Sequence, residues 1–304
     1  MENEILLNSI MTEEIINQYT ISNGVHWHIL RLDQIHPIIS GNKYFKLKYY
    51  LRQAIEQGYG GILSFGGPYS NHIVAAAYAA KRLSLSSIGI VRGQRPIRLS
   101  HTLANAQTYG MKLDFISRQE YAAKDDDSWV TGLKKKYPGI YVIPEGGYGK
   151  PGAKGAGEIL QLLNPDRYSH ICCACGTGTM LAGLINASDP EICCIGISVL
   201  KGYNALNGQV TQLLIPGSAK KPFKIFHDFH FGGYAKQSRE LLNFMNCFYR
   251  QYAISTDIIY TAKLMYAIEQ LIQRNFFPPN SRILTIHSGG IQGNESLSPG
   301  VLVF

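Results

Sequence analysis

The amino-acid sequence predicts an α/β protein whose sheets are parallel or mostly parallel, flanked by helices and divided between two lobes. Short β-branched runs that end at glycine or another turn residue alternate with helical patterns, which is typical of parallel sheets covered on both faces. One helical pattern, at residues 73–83, is rich in alanine, as expected for a helix packed close to a sheet. With seven strand candidates in 304 residues, two lobes are favoured over one sheet.

Each element follows from this alternation. Strands are predicted at residues 61–65, 87–91, 112–116, 141–144, 168–174, 192–199 and 283–287, and helices at residues 43–57, 71–83, 101–110, 152–163, 179–185, 238–252 and 261–274. Stretches that favour turns, at 40–43 and 146–157, indicate the lobe boundaries. We therefore predict a larger domain of residues 1–43 and 147–304, and a smaller α/β domain of residues 44–146.

The composition excludes several classes of protein. Hydrophobic residues make up 45% of the chain and charged residues only 16%, which is too apolar for a disordered chain. The 29 basic and 21 acidic side chains give a net charge of +8, but the basic residues are scattered, so no nucleic-acid partner is expected. The first basic residue is Arg31 and no apolar run reaches roughly 18 residues, so we expect a cytoplasmic protein with no membrane partner. The six cysteines lack metal-ligand or disulfide-scaffold spacing, which predicts reduced core thiols and no metal site.

A turn that contains glycine leads directly into a helix whose first turn presents a lysine, in the run Ser40-Gly41-Asn42-Lys43. A lysine amine held in a cleft loses solvent, which lowers its pKa and lets it form a Schiff base with a carbonyl group. On chemistry alone, Lys43 could also be an ordinary surface lysine. Its neighbours Lys46 and Lys48 are alternatives for the same role.

Three polar side chains, Ser70, Asn71 and His72, follow a strand that ends in two glycines. Ser70 suits the N-cap of the next helix. Polar side chains and free backbone amides at a helix start are also suited to holding a carboxylate or a ring oxygen. The capping role and the binding role are compatible, and we expect both.

A second glycine-bearing turn, Gly176-Thr177-Gly178-Thr179, lies between an apolar strand and a helix. Small residues let backbone amides approach an anion, the hydroxyls add donors, and the helix contributes its positive end. Leu181 occupies the third glycine position of a dinucleotide fingerprint, and no lysine follows as in a P-loop, which disfavours a nucleotide-dependent oxidoreductase. The turn therefore predicts a monophosphate site, with a plain structural turn as the alternative.

Two C-terminal segments complete the candidates. Tyr260 and Thr261 stand just before a predicted helix, and His287 and Ser288 stand at the end of the last predicted strand. In parallel sheets, ligands bind where the carboxyl ends of strands meet loops and helix N-termini. Taken alone, Tyr260 could equally be a buried aromatic residue, and His287 a core or capping histidine.

Together these segments resemble one family. Residues 40–49, 66–72, 176–179, 260–263 and 287–290 are similar, in sequence and in order, to the 1-aminocyclopropane-1-carboxylate deaminases and D-cysteine desulfhydrases. The resemblance implies the two-domain fold of the tryptophan synthase β type, also called fold type II, with pyridoxal 5'-phosphate bound to the larger domain. It also implies an enzyme that acts on a small amino acid, and fold analogy adds a homodimer.

The resemblance assigns a role to each candidate. Lys43 would be the Schiff-base lysine, Asn71 would hydrogen-bond the phenolic oxygen of the cofactor, and Thr261 or Ser288 would meet its pyridine nitrogen. Ser70 and Tyr260 would assist catalysis. The residues expected at the cofactor are Lys43, Asn71, Gly176, Thr177, Gly178, Thr179, Thr261 and Ser288, and those expected at the substrate are Ser70, Asn71, His72 and Tyr260.

The reaction expected from the resemblance is β-elimination from D-cysteine, which gives pyruvate, ammonia and sulfide. Hydroxyl residues at both Thr261 and Ser288 are similar to the desulfhydrase branch, because the deaminase branch has Glu and Leu there. The alternative is ring opening of 1-aminocyclopropane-1-carboxylate to 2-oxobutanoate and ammonia. The family commonly has Arg at Phe45 and Gly at Ala262 and Ala267, so a catalytically weakened protein that binds the cofactor is a further alternative.

Overall fold

The computed structural model describes residues 10–163 and 167–304. Within these ranges the strands are β1 (Thr12–Ile15), β2 (His26–Arg31), β3 (Gly61–Gly66), β4 (Ser86–Arg92), β5 (Lys112–Ile116), β6 (Ile140–Val142), β7 (His170–Cys175), β8 (Cys193–Ser198), β9 (Phe223–Phe226) and β10 (Arg282–His287). The helices are α1 (Gln18–Ser22), α2 (Asn42–Glu56), α3 (Asn71–Arg82), α4 (His101–Thr108), α5 (Arg118–Ala122), α6 (Asp127–Lys136), α7 (Lys150–Gly157), α8 (Thr179–Ala187), α9 (Leu206–Gln212), α10 (Arg239–Tyr252) and α11 (Thr261–Gln273).

These strands form two sheets. One has the order β1-β2-β10-β7-β8-β9, and the other has the order β5-β4-β3-β6. Among the described strands, β1 and β2 pair antiparallel, and every other neighbouring pair is parallel. The expected α/β architecture with mostly parallel sheets is therefore confirmed.

The smaller sheet takes its strands from a continuous part of the chain, from β3 to β6, whereas the larger sheet takes its strands from both sides of that part. The predicted domains have the same arrangement, with a continuous smaller domain inserted between two parts of a larger one. The domain boundaries at residues 43–44 and 146–147 stay a prediction.

Helix packing explains the apolar runs in the sequence. All residues of β3 are buried, as expected of a central strand covered on both faces. Helix α3 buries alanines against this sheet, because small side chains bring the helix axis close to the strands; its buried alanines are Ala75, Ala76, Ala77, Ala79 and Ala80. The main hydrophobic core joins α2, α3, α7 and α8, and so connects both sheets.

Several elements were not predicted from the sequence. Strand β1 carries two glutamates and pairs with β2 at the edge of the larger sheet, and β9 is the opposite edge strand and contains Lys224. Edge strands are partly solvated and lack the continuous apolar runs used to find most of the other strands. Strand β2 lies inside the larger sheet and was not predicted either, because its two histidines interrupt the apolar run. The predicted helix at 152–163 is an α-helix only to Gly157, followed by a 3-10 turn over Glu158–Leu162.

The structure bears on three further expectations. None of the helices in the described ranges has the length and apolar character needed to cross a membrane. In the same ranges, no three or more His, Cys, Asp or Glu side chains are grouped so that they could hold a metal ion. The six cysteines are free thiols, and four of them lie buried in or beside the strands: Cys172, Cys173, Cys175 and Cys194.

Candidate active site

A cavity of about 880 Å³ lies where the carboxyl ends of strands from both sheets meet. This is the expected place for a ligand in a parallel sheet. The structure brings ten of the eleven sequence-predicted site residues to its wall: Lys43, Ser70, Asn71, His72, Gly176, Thr177, Gly178, Thr179, Tyr260 and Ser288.

Lys43 enters the cavity from the first turn of α2. Gly41 forms the N-cap of this helix with φ +63° and ψ −144°, a conformation open in practice only to glycine, and its backbone rests against the carbonyl of Ser288. The Lys43 Nζ donates to Asn42 Oδ1 at 2.7 Å and lies 5.8 Å from the centre of the Tyr260 ring. Burial lowers the pKa of Lys43 to about 8, a shift that Asp257 partly opposes. Roughly a tenth to a fifth of this amine is therefore neutral near physiological pH, far more than for an ordinary lysine with a pKa of about 10.4.

The turn after β3 places Ser70 and Asn71 in the cavity wall. Ser70 caps α3 by accepting a hydrogen bond from the Ile73 amide at 3.3 Å, and it also faces the cavity. Asn71 Nδ2 donates to the Gly290 carbonyl at 2.9 Å, which leaves its second hydrogen for a ligand. Its buried Oδ1 has no partner among the described residues. The capping role is shown, and a polar side chain remains available beside it.

His72 presents an acceptor nitrogen in this wall. Its Nε2 lies 2.8 Å from Ser64 Oγ, and that hydroxyl donates its only hydrogen to the Ile143 carbonyl at 2.9 Å. The imidazole must therefore donate through Nε2, which leaves Nδ1 with a lone pair. Burial, and after it the charges of Lys43 and Lys46, lower the pKa of His72 well below its ordinary value, so the ring is neutral. Its Nδ1 is buried without a partner among the described residues and can accept a ligand hydrogen.

The turn Gly176 to Thr179 joins β7 to α8. Gly178 has φ +74°, and a methyl group there would lie 2.6 Å from Val210, so only glycine fits this position. No side chain caps the first amides of α8, and the hydroxyls of Thr177 and Thr179 lie 2.8 Å apart beside them. Free amides, two hydroxyls and the positive end of a helix are the groups that hold a phosphate.

Two tyrosines form the aromatic side of the cavity. The rings of Tyr234 and Tyr260 meet edge to face with centres 6.0 Å apart. Burial, followed by the neighbouring Tyr234, raises the pKa of Tyr260 well above its ordinary value, so the phenol stays protonated. The loop that carries Tyr234 is fastened by Lys263, whose buried Nζ donates to the Gly233 carbonyl at 2.7 Å.

The two hydroxyls expected near a pyridine nitrogen, those of Ser288 and Thr261, have different surroundings in the structure. Ser288 lies on the cavity wall at the end of β10. Thr261 is fully buried; its Oγ1 donates to Asp257 Oδ1 at 2.8 Å and accepts from the Asp257 amide at 2.7 Å. Asp257 also accepts the backbone amides at the start of α11. The Thr261 hydroxyl is therefore used to build the helix start, and Ser288 is the one that faces a ligand.

Sequence reasoning did not assign two further residues of the wall. Tyr234 belongs to a segment that has no recognised motif. Lys46 was considered only as an alternative to Lys43, yet its side chain is 5% exposed and lines the cavity. Residues three apart share a face of a helix, so Lys46 next to Lys43 was the available signal. Burial, and after it the charge of Lys43, lower the pKa of Lys46 to about 7.

These groups fit pyridoxal phosphate. The Gly176–Thr179 turn offers uncapped amides, and Lys46 places a buried amine near Cys175, the residue just before that turn. Lys43 supplies an amine that can attack an aldehyde. The partnerless Oδ1 of Asn71 and Nδ1 of His72 are buried polar atoms that a polar ligand would satisfy.

Comparison with known proteins agrees with this fit. A family model described as pyridoxal-phosphate dependent enzyme matches residues 19–289. A putative 1-aminocyclopropane-1-carboxylate deaminase of Pyrococcus horikoshii is 28% identical, covering 89% of this chain and 86% of the relative. The mitochondrial bifunctional D-cysteine desulfhydrase/1-aminocyclopropane-1-carboxylate deaminase of Arabidopsis thaliana is 28% identical, covering 90% of this chain and 74% of the relative. D-cysteine desulfhydrase of Salmonella typhi is 26% identical, covering 90% of this chain and 89% of the relative.

Solved structures confirm the fold. The crystal structure of an ACC deaminase homologue superposes with a TM-score of 0.78 at 23% identity, covering 94% of this chain and 90% of that chain. The expected two-domain fold type II is thus the fold of this chain. Since the family model also spans every residue of the cavity wall named above, the chain belongs to the pyridoxal-phosphate dependent enzymes.

Proposed function

We propose that this enzyme is a lyase that releases sulfide from D-cysteine. The observation that carries the proposal is a buried amine of lowered pKa, Lys43, on a cavity wall shared with the Ser70–His72 turn, the Gly176–Thr179 turn and the Ser288 hydroxyl. D-cysteine desulfhydrases are among the relatives that cover most of the chain. Ser288 on the cavity wall supports the desulfhydrase branch over the deaminase branch, which the sequence resemblance associates with leucine at this position.

Different residues of the cavity would bind different parts of pyridoxal phosphate. The Gly176–Thr179 turn and Lys46 would hold the phosphate, Asn71 the phenolic oxygen, and Ser288 the pyridine nitrogen. Bound pyridoxal phosphate supplies an aldehyde that links to the substrate amine and a ring that withdraws electrons from the carbon next to that amine. Ser70 and the acceptor nitrogen of His72 face the space left for the amino acid.

Lys43 would move the proton. With a lowered pKa, its amine can take the hydrogen from the α-carbon of the substrate, while the bond from the β-carbon to sulfur breaks with its electron pair leaving on sulfur. Each D-cysteine then consumes one water and yields one pyruvate, one ammonia and one sulfide. Tyr260 stays protonated, and because its ring centre lies 5.8 Å from the Lys43 amine, its hydroxyl can donate a proton within the same part of the cavity.

Ring opening of 1-aminocyclopropane-1-carboxylate is the second candidate function. The paired phenols of Tyr234 and Tyr260 near Lys43 favour it, because opening a carbon–carbon bond needs acid and base groups close to carbons that carry no leaving group. The products would be 2-oxobutanoate and ammonia. The relatives include proteins named for this activity.

One panel separates these functions. The loaded enzyme is incubated with D-cysteine, L-cysteine, D-serine and 1-aminocyclopropane-1-carboxylate, and pyruvate, 2-oxobutanoate and sulfide are measured. Sulfide and pyruvate from D-cysteine support the first function, and 2-oxobutanoate supports the second. Bound cofactor without any keto acid would contradict both and favour a weakened cofactor-binding protein.

We further propose that the substrate is a small amino acid, that the enzyme works in the cytoplasm, and that it forms a homodimer, as fold analogy suggests. Light scattering coupled to size-exclusion chromatography would measure the assembly, and a mass equal to one 33.8 kDa chain would refute the dimer.

Attachment of the cofactor is expected to accelerate as the pH rises through about 8. Only the neutral amine attacks an aldehyde, and burial lowers the pKa of Lys43 from 10.5 to about 8, so the neutral fraction grows with pH and levels off above that value. Stopped-flow absorbance of the apoenzyme mixed with pyridoxal phosphate would measure the rate. A rate that keeps rising tenfold per unit up to about pH 10, as for an ordinary lysine, would contradict the assigned environment.

Replacing Lys46 with methionine is expected to weaken pyridoxal phosphate binding to the apoenzyme by roughly tenfold, because a hydrogen bond to a charged group is lost. At pH 8 the buried amine of Lys46 is mostly neutral, since its pKa is about 7, and a bound phosphate would raise that pKa and cause proton uptake. Calorimetry in two buffers of different ionisation enthalpy would measure both quantities.

Lys48→Met is the matched control, since Lys48 lies on the same helix but donates to Glu158 at 2.7 Å. Equal affinity and equal proton uptake in Lys46→Met and the wild type would remove Lys46 from the phosphate site.

A further inference from the structure

Arg92 is a cation at the mouth of the active-site cavity to which neither the fold nor the reaction above gives a role. It ends strand β4, its side chain is exposed, and it lines the cavity. A methyl group built on Gly67 would lie 3.6 Å from Arg92 Nη2, so the guanidinium rests against the turn that leads into Ser70. The charge of Arg92 therefore stands close to the substrate side of the site.

The guanidinium is held in a defined orientation. Its carbon lies 5.6 Å from the centre of the Tyr121 ring, and Tyr121 is itself buried and donates its hydroxyl to Glu145 Oε1 at 2.7 Å. Stacking on an anchored ring leaves the edge of the guanidinium free to donate hydrogen bonds. An arginine positioned in this way loses little side-chain freedom when it binds an anion.

The other charges at the mouth leave Arg92 without a carboxylate partner. Lys124 Nζ lies 2.8 Å from Asp125 and 3.5 Å from Glu145, so it pairs with both acidic residues that line the cavity. The ion pairs found in residues 10–163 and 167–304 do not include Arg92. Lys134, also on the wall, adds a further positive charge. The mouth is thus suited to a negative group.

The position of Arg92 in the cavity determines which part of a bound amino acid could contact its guanidinium. Lys43 lies 5.8 Å from the Tyr260 ring, and the Tyr234 ring comes next at 6.0 Å from that of Tyr260. Burial raises the pKa of the Tyr234 hydroxyl, and the charge of Arg92 opposes that rise in small part, so the two residues lie in the same region of the cavity. Arg92 is exposed at the end of β4 and Lys43 lies in the wall of the same cavity, so an amino acid whose amine is near Lys43 could direct a polar side chain towards Arg92.

We propose that Arg92 binds a distal carboxylate on the side chain of the amino-acid substrate and so determines a preference for acidic groups attached to the β-carbon. The inference rests on the proposed β-elimination and adds its substrate class. For S-carboxymethylcysteine, the α-hydrogen passes to the Lys43 amine, the β-carbon–sulfur bond breaks with its electron pair leaving on sulfur, and one water is consumed. The products are thioglycolate, pyruvate and ammonia.

The kinetic test uses two isosteric substrates, S-carboxymethylcysteine and its uncharged amide S-carbamoylmethylcysteine, in both stereochemical series. We expect kcat/KM to favour the carboxylate by roughly tenfold, the scale of a hydrogen bond to a charged group. In Arg92→Gln this ratio falls towards one. Arg95→Gln, in which an exposed arginine stacked on Phe115 at 5.7 Å is removed from the same segment, keeps the wild-type ratio.

A binding test does not depend on turnover. Calorimetry with the loaded enzyme compares glutamate with glutamine, which have the same shape and no leaving group on the β-carbon. Roughly tenfold tighter binding of glutamate, lost in Arg92→Gln and reduced by added salt, supports the proposal. Equal affinities in the wild type, or an unchanged ratio in Arg92→Gln, overturn it. Failure of the proposed lyase activity is distinguished from failure of this proposal by the substrate panel above. In that case neither D-cysteine nor 1-aminocyclopropane-1-carboxylate would give a keto acid.

Discussion

Replacing Lys43 with alanine is expected to lower kcat of the loaded enzyme by about 10⁴-fold or more and to abolish covalent retention of pyridoxal phosphate. The same amine would hold the cofactor and move the proton, so its loss removes two functions at once. The site offers no simple replacement: Lys46 also lines the cavity, but it lies one helical turn further along α2, near Cys175 and the phosphate turn.

The measurement is borohydride reduction followed by peptide mapping, together with the rate of keto-acid release. The wild type and Lys48→Ala should carry the reduced cofactor on Lys43, because the Lys48 amine is occupied by Glu158. Cofactor mapped to Lys46 in the wild type, or covalent cofactor retained in Lys43→Ala, would show that the wrong lysine has been assigned. Activity lost without loss of the covalent adduct would also contradict the assignment.

Most strands and helices were predictable because a central strand buried on both faces often appears as a continuous apolar run. Strand β3 is such a run and was found within one residue of its end. Strand β2 is an interior strand, but its sequence His-Trp-His-Ile-Leu-Arg is not such a run, and it was not predicted. Strand β1, with two glutamates at a solvated edge, has no comparable signal. Local sequence thus reports burial, and edge strands are held by pairing that the sequence does not show.

The candidate site was predictable where a residue type is required by the local backbone. Gly178 and Ser70 are examples, because a left-handed turn and a helix N-cap restrict the residue at those positions. That Ser288 and not Thr261 lines the cavity was not predictable, since it depends on Asp257 accepting a hydrogen bond from the Thr261 hydroxyl. The charged mouth at Arg92 was also missed, because it forms only when β4, α5 and the loop after β6 come together.

The packing of the lysine turn against the end of β10 leads to the second large effect. Replacing Gly41 with alanine is expected to destabilise the protein by about 3 kcal/mol or more and to weaken cofactor binding by more than about tenfold. The new methyl group would lie 1.7 Å from the Ser288 carbonyl oxygen and 2.7 Å from the Gly289 amide nitrogen, so backbone must move. That movement would separate Lys43 from Ser288, which this contact holds on the same wall.

Gly24→Ala is the control for a methyl group at positive φ that meets no clash. Gly24 has φ +60°, close to the +63° of Gly41, but a methyl group there meets nothing within 4 Å. We expect Gly24→Ala to lose only about 1–2 kcal/mol in urea unfolding and to bind the cofactor like the wild type. If Gly41→Ala behaves like Gly24→Ala in both unfolding and cofactor titration, the contact between the lysine turn and Ser288 does not position the site. A selective loss of cofactor affinity in Gly41→Ala, beyond its loss of stability, would show that this contact sets the distance between the amine and the ring-nitrogen partner.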